Sequence, residues 1–252
     1  MPSLLMGNRV LNFSSLASTN DKLKALLSEN DLPEGTLVKA YEQFAGKGYS
    51  TRTWESEPGK NLTVSYLLKP GFLPPQNQFK LTQVTSLAVR DTVSYFYNGS
   101  KQIAVKWPND IYVNQSKIAG ILAENSIMGS QISHCIAGIG LNVNQEVFLS
   151  DAPNPVSLKL LTKKEISIDN CLEVLSLKLQ HWYNKLKASD YKTLDEAYHK
   201  LLFRKDIPSQ FYWAGETFTA TLRGTDEYGQ LILEDQQGKL QFFDFKEVEF
   251  VL

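Results

Sequence analysis

Apolar residues recur along the chain with two different periods, and the places where the period changes mark out its elements. Ser18-Thr19-Asn20-Asp21 is a helix-start signal, and Leu23, Leu26 and Leu27 follow it at one-face spacing. Leu81, Val84, Ala88 and Tyr95 fall on one face of a long helix, and Leu172, Leu175, Leu179, Trp182 and Leu186 repeat at 3,4 spacing. A further helix is expected around Leu194 to Leu202. Thr36 to Tyr41, Leu62 to Leu68, Ile103 to Lys106, Asp110 to Val113, Lys117 to Glu124 and Ile132 to Val143 read as strands, with Asn114-Gln115 as a turn. The stretch from Gln43 to Lys60, with three glycines and mixed charges, reads as a long loop of the kind that often carries function. Near Lys205 the pattern changes again. Thr217 to Leu222, Gln230 to Leu233, Leu240 to Phe245 and Glu247 to Val251 are short strands, separated by the turn signals Asp226-Glu227-Tyr228-Gly229 and Asp235-Gln236-Gln237-Gly238. Such closely spaced strands predict a small β-barrel over 205–252, after a larger domain over 1–204.

Composition narrows the function classes. A net charge of -1 over 252 residues is a poor match for a nucleic-acid binder, which usually carries a basic face. The two cysteines, Cys135 and Cys171, stand far apart and outside any metal-ligand spacing, as expected of buried thiols in a cytoplasmic protein. His134, His181 and His199 show no ligand spacing either. No basic-then-apolar start and no run of membrane-spanning length are present, so a soluble protein with no membrane partner is expected.

The candidate chemistry lies in the first 142 residues. Walker-type phosphate loops, complete dinucleotide fingerprints, serine-nucleophile elbows and zinc-protease motifs are all missing, so neither a covalent nucleophile nor a metal-hydrolase site is expected. Lys106-Trp107-Pro108-Asn109-Asp110 combines a cation, an acid and an amide. It is followed by Lys117-Ile118-Ala119-Gly120-Ile121-Leu122. These residues suit a site that activates a carboxylic acid with a nucleotide, and equally an ordinary strand pair with an exposed salt bridge. In the loop, the glycines let backbone approach a ligand, Lys47 and Arg52 can meet carboxylate or phosphate oxygens, and Trp54 can stack on a planar ring. A solvated surface loop is the plainer alternative. Ser18-Thr19-Asn20 serves as a helix cap in either case, and Asn142 alone carries little.

Taken in order, Ser18-Thr19-Asn20, Gln43-x-x-Gly46-x-Gly48 with Trp54, the KWPND pentapeptide with Lys117-x-x-Gly120-Ile121-Leu122, and Gly140-Leu141-Asn142 resemble the biotin–protein ligases over nearly the whole chain. The resemblance implies an α+β, class II synthetase-like catalytic domain with a mixed sheet and flanking helices, followed by an SH3-like barrel. It implies ATP and Mg2+ as cofactors, biotin as substrate, and a biotin carboxyl carrier protein as partner. Biotin would be activated as biotinyl-5′-AMP and passed to a carrier lysine. By position, Ser18, Thr19, Asn20 and Gln43 would contact the biotin head group. Residues Gly46, Lys47, Gly48 and Tyr49 would form a mobile loop over the acyl-adenylate. Lys117 would hold the biotin carboxylate or the phosphate, and Gly120 would permit close approach. Trp54 and Asn142 would border the adenine with Asn109 assisting. Lys106 would stabilise charge, and Asp110 would position magnesium or the attacking amine. Many members carry arginines on both sides of the second loop glycine. Here Lys47 and Tyr49 stand there, which loses the two-pronged grip on oxygens and leaves Arg52 as the arginine able to reach them. An active enzyme with a leakier adenylate is expected. The first motif starts at residue 18, so the single-function form without a DNA-binding domain is expected, and the resemblance also admits a homodimer. The alternatives are a lipoate–protein ligase, a non-catalytic biotin- or carrier-binding protein, and an adaptor acting through its terminal barrel.

Overall fold

The computed structural model describes residues 6–48, 53–150 and 154–251. Its centre is a seven-stranded sheet in the order β1-β2-β5-β9-β8-β7-β6. The strands are β1 (Arg9–Leu16), β2 (Thr36–Gln43), β5 (Leu62–Leu68), β6 (Ile103–Lys106), β7 (Asp110–Val113), β8 (Ser116–Met128) and β9 (Gln131–Leu141), while β3 (Gly46–Lys47) and β4 (Thr53–Trp54) form a separate small hairpin. β1 runs parallel to β2 and every other neighbouring pair in the sheet is antiparallel, so the sheet is mixed.

Both faces of the sheet are covered, which is why the central β5 is buried at all seven positions. On one face α1 (Thr19–Glu29) sets Leu23 among Val38, Leu67 and Ile136. On the other, Leu37, Val64, Tyr66, Leu68, Cys135 and Ala137 join the main core with α2 (Phe79–Phe96) and α4 (Ile168–Lys187). Strand alternation thus sorts neighbours such as Leu37 and Val38 into different clusters. Leu81, Val84 and Ala88 are buried as their spacing predicts, but Tyr95 is exposed. Fourteen residues after Leu81 the helical repeat has drifted about 40° off that stripe, and Val89 and Val93 carry the burial at this end.

Five strands and helices have no counterpart in the sequence reading: β1, β3, β4, α3 (Leu158–Thr162) and β10 (Pro208–Trp213). The helix expected around Leu194 is α5 (Tyr191–Lys200). β10, β11 (Glu216–Thr225), β12 (Leu231–Glu234), β13 (Leu240–Phe243) and β14 (Glu249–Phe250) form a five-stranded antiparallel sheet in the order β13-β12-β11-β10-β14. This smaller sheet does not stand apart. Trp107 Nε1 donates to Gly229 O at 2.9 Å, and the Phe245 ring lies 5.3 Å from Trp107 and 5.9 Å from Phe79. One hydrophobic core runs from Leu81 and Val84 through Tyr198 to Phe211, Leu233 and Phe243.

Candidate functional site

Strand register builds the floor of a cleft. Thr63, Gly140, Gly120, Asp110 and Lys106 are successive cross-strand partners on β5, β9, β8, β7 and β6, so they form one row across five strands. The row is bare at its two glycines and charged at its far end. One row along, Ser65, Gly138 and Leu122 are likewise partners. A side chain at either floor position of β9 would collide with a residue now lying on it. A Cβ on Gly140 would lie 2.5 Å from Trp54 Nε1 and 2.7 Å from its Cζ2, and a Cβ on Gly138 would lie 2.9 Å from Asn20 Cγ and closer still to Oδ1. The indole of Trp54 therefore lies on the backbone of Gly140, with Gly120 beside it.

Strict alternation back from Gly120 would aim Ile118 into the cleft and bury Lys117. A register shift between Ile111 and Tyr112 sets Lys117, rather than Ile118, opposite Tyr112. A bulge of this kind re-aims side chains. Ile118 and Ala119 are both buried, while Lys117 reaches the cleft and pairs with Asp110 at 2.8 Å. The salt bridge is thus Asp110–Lys117, not the Lys106–Asp110 pair that adjacency in the pentapeptide suggests. Lys106 instead directs its ammonium over two rings, Tyr112 at 5.2 Å and Phe250 at 5.4 Å. Lys117 Nζ also lies 5.8 Å from the Trp54 ring.

At the other end of the cleft the first turn of α1 presents a tightly partnered polar cluster. Ser18 Oγ caps the helix, accepting from Asp21 N at 3.4 Å. Gln43 Oε1 accepts from Thr19 N at 2.9 Å and from Thr19 Oγ1 at 3.2 Å. Ser65 Oγ lies within hydrogen-bond distance of both Thr19 Oγ1 (2.7 Å) and Asn20 Oδ1 (2.5 Å), and Asn20 Nδ2 donates to Glu124 at 2.6 Å. Glu124 is fixed in turn by Lys24 at 2.5 Å. These contacts lock the amide of Asn20 over Gly138.

The cleft measures about 950 Å3 and collects Ser18, Thr19, Asn20, Gln43, Lys47, Gly48, Trp54, Lys106, Asn109, Asp110, Lys117, Gly120 and Asn142. Asn109 Nδ2 donates to Ile121 O at 2.6 Å and so ties the β6–β7 turn to β8. Gly46 lies in the β3–β4 hairpin, where a Cβ would strike Gln43 Nε2 at 2.6 Å. Lys47 pairs with Asp21 at 2.7 Å, and hydrogen bonding to that carboxylate raises its pKa. Gly46 and Lys47 are therefore paired strand residues here, where the sequence reading expects open loop. Tyr49 and Arg52 lie outside the described residues.

Two polar atoms in the cleft region are buried without a partner, Trp54 Nε1 and Asn142 Oδ1. Asn142 Nδ2 meanwhile donates to Val156 O at 3.1 Å, which fixes Oδ1 as the free end of the amide. No thiol is available as a nucleophile. Burial pushes Cys135 and Cys171 each up to about 12. Among the described residues no three His, Cys, Asp or Glu side chains gather to hold a metal ion unaided, and no helix is long and apolar enough to cross a membrane.

The sequence reading missed part of the wall. Phe245, Lys246, Val248, Glu249 and Phe250 of the C-terminal sheet border the cleft, as do Glu55, Phe148 and Ser150. Nothing local in the sequence marks the C-terminal residues, because the docking of the two sheets alone brings them there.

Comparison with known proteins agrees with this architecture. Residues 13–142, just over half of the chain, match the Biotin/lipoate A/B protein ligase family. The chain is 29% identical over 239 residues to the bifunctional ligase/repressor BirA of Bacillus subtilis, covering 93% of this chain and 72% of that protein. It is 28% identical over 228 residues to a biotin–[acetyl-CoA-carboxylase] ligase of Paracoccus denitrificans, covering 88% and 92%. The solved biotin protein ligase of Aquifex aeolicus in complex with biotin and ATP shares the fold, with a TM-score of 0.80 at 23% identity over 97% of this chain and all of that one.

Proposed function

The chain belongs to the biotin/lipoate A/B protein ligase family, and from that premise we propose that it is an ATP-dependent biotin–protein ligase acting on a biotin carboxyl carrier domain of a carboxylase. The observation that carries this reading is the row that sets the bare floor of Gly140 and Gly120, under Trp54, beside Asp110, Lys117 and Lys106 at the far end of the cleft. A planar base can stack on the Trp54 indole, and phosphates linked to it meet the lysines. The relatives that span most of the chain carry the names of biotin ligases, which supports the substrate.

The chemistry then follows from placement. Biotin's carboxylate oxygen attacks the α-phosphorus of ATP, the bond to the β-phosphate oxygen breaks, and pyrophosphate leaves. A carrier lysine amine next attacks the mixed anhydride carbonyl, forming an amide and releasing AMP. Neither step needs an enzyme nucleophile. Catalysis comes from holding two anions in line and neutralising developing charge, with each well-placed donor supplying roughly 3 kcal/mol. Lys117 neutralises the carboxylate or α-phosphate, and Gly120 lets that group approach the backbone. Lys106 faces the same charge from the opposite side, with Asn109 supporting the floor. Ser18, Thr19, Asn20 and Gln43 receive the ureido head, and the segment from Gly46 through Lys47 to Gly48 covers the acyl-adenylate. The carboxylate of Asp110 fits a magnesium ion, which takes one or two protein carboxylates and fills its shell with phosphate oxygens and water. Such an ion would offset the charge of the phosphates. The same reading divides the chain near residue 205, with the C-terminal part completing the cleft wall, and places the protein in the cytoplasm.

Lipoate is the second reading, since the family includes its ligases. The hydroxyl and amide groups at the α1 end favour biotin. A ureido group can add hydrogen bonds to the donors and acceptors this cluster still has to offer, whereas a dithiolane ring provides neither donor nor strong acceptor. The test is pyrophosphate release from ATP and magnesium with biotin or lipoate in parallel. Release with biotin alone is expected. Release with lipoate alone overturns the substrate, and silence with both, biotin still binding, identifies a receptor without turnover.

A further inference from the structure

Glu55 follows Trp54 in the chain and directs its carboxylate into the segment after β9. Its carboxylate accepts four contacts from that segment. Leu149 N donates at 2.9 Å to Oε1 and 3.1 Å to Oε2, Ser150 N donates at 2.7 Å to Oε2, and Gln145 Nε2 donates at 2.9 Å to Oε1. Burial raises the pKa of this carboxyl, but donors from Ser150, Leu149 and Gln145 outweigh that and hold it below the usual carboxylate range. The anchor beneath is firm. Gln145 is 1% exposed, accepts from Asn61 Nδ2 at 2.5 Å and from Glu57 N at 3.0 Å, and Asn61 Oδ1 accepts from Val143 N at 3.0 Å.

Apolar burial does not order residues 147–150. Val147 is 66% exposed and Leu149 87%. The segment nevertheless supplies Phe148 and Ser150 to the cleft wall, alongside Trp54 and Glu55. One carboxylate therefore fastens two walls of the cleft, the β3–β4 hairpin that carries Trp54 and the segment that carries Phe148.

We infer that Glu55 is a positioning residue for the nucleotide, whose carboxylate locks segment 145–150 onto the Trp54 hairpin and so preforms that end of the cleft. This rests on the reading of the cleft as a nucleotide site. Its consequence is selective. A binding-competent wall populated only about a tenth of the time lowers apparent affinity about tenfold, and only for the ligand that touches the wall. Biotin, placed against the α1 cluster, does not pay this.

Two measurements test it on the full chain. Amide hydrogen exchange of the ligand-free protein reads the lock directly: Glu55→Ala is expected to abolish protection at Leu149 and Ser150 while leaving the strand amides of β9 unchanged. Titration of ATP by calorimetry, with biotin-dependent pyrophosphate exchange beside it, reads the consequence. Glu55→Ala is expected to raise the Kd and KM for ATP about tenfold, with kcat and the KM for biotin within about twofold of the parent. Glu55→Gln, which keeps one acceptor oxygen, is expected to fall between the two. Protection that survives in Glu55→Ala, an unchanged ATP affinity, or ATP and biotin affinities that weaken together each overturns the inference. If the parent shows no biotin-dependent exchange, the ligase reading fails, while the exchange protection and the ATP titration still decide the role of Glu55.

Discussion

Gly138 and Gly140 stand two residues apart on β9 and face the same side, about 7 Å from one another, yet each lies under a different residue. Replacing them one at a time by alanine therefore perturbs the two ends of the cleft separately. In Gly140→Ala the new Cβ falls 2.5 Å from Trp54 Nε1 and 2.7 Å from Cζ2. Comfortable contact between such atoms needs about 3.5 Å, so one side must yield by about 1 Å. β9 cannot yield, because it is hydrogen-bonded to β5 and β8 over most of its length. Trp54 can, since β4 is two residues long and, among the described residues, pairs with Gly46 and Lys47 alone. The indole retreats and the fold survives with a stability loss of about 1 kcal/mol, the low end of overpacking costs. The adenine side loses its stacking wall, worth roughly 1 kcal/mol or a five- to tenfold rise in the KM for ATP. In Gly138→Ala the obstacle is Asn20, 3% exposed and held by Ser65, Leu122 O and Glu124, which has no room to step back. The cost there is about 1–3 kcal/mol of stability together with weakened biotin binding. The assay is biotin-dependent ATP–pyrophosphate exchange with each substrate varied in turn, beside urea denaturation. Gly140→Ala should move ATP alone, and Gly138→Ala should move biotin and stability. Equal effects on both substrates in both variants would refute the division of the cleft.

Two further outcomes follow from the charges. Lys117→Gln removes the cation that the bulge turns into the cleft and should lower kcat for biotin-dependent pyrophosphate release about 10^2–10^3-fold; a kcat within threefold of the parent would exclude Lys117 from the reacting centre. His199 links α5 to β11, with its Nε2 2.9 Å from Thr225 Oγ1 and accepting from Thr225 N at 3.2 Å. Burial depresses its pKa below the ordinary 6.5; Asp195 opposes this, while Lys205 and Lys80 add to it. Because the folded state resists protonation that the unfolded chain accepts, the stability from this contact is full above about pH 6.5 and is lost as pH falls towards the folded pKa. Melting temperatures at pH 7.5 and 5.5 should therefore differ less in His199→Gln than in the parent, and an unchanged difference would show that the α5–β11 contact does not titrate.

Local pattern alone determined a good deal. The spacing of Leu172, Leu175, Leu179 and Leu186 gave α4, and the unbroken run from Leu62 to Leu68 matched β5 to the residue, because a strand covered on both faces needs apolar or small residues throughout. Ser18 was legible as a cap because the cap is made within its own first turn. The ordered set of short motifs also pointed to the family, since backbone that must come close to a ligand restricts residue choice to a few types. What the sequence could not give was everything set by register and docking. β1 and β10 were missed because each is half exposed and lacks a strong alternating stripe. Asp110 does lie beside Lys106, as their closeness in the motif suggests, but a one-residue bulge makes Lys117 its ion-pair partner. Tyr49 and Arg52 stay as the sequence left them. The wall formed by Phe245 to Phe250, and the fastening of Trp54 to segment 145–150 through Glu55, have no local signature. Periodicity records which side of its own element a residue faces. Which distant residue it then meets is decided by how strands slide past one another and how the two sheets pack, and those are properties of the whole chain.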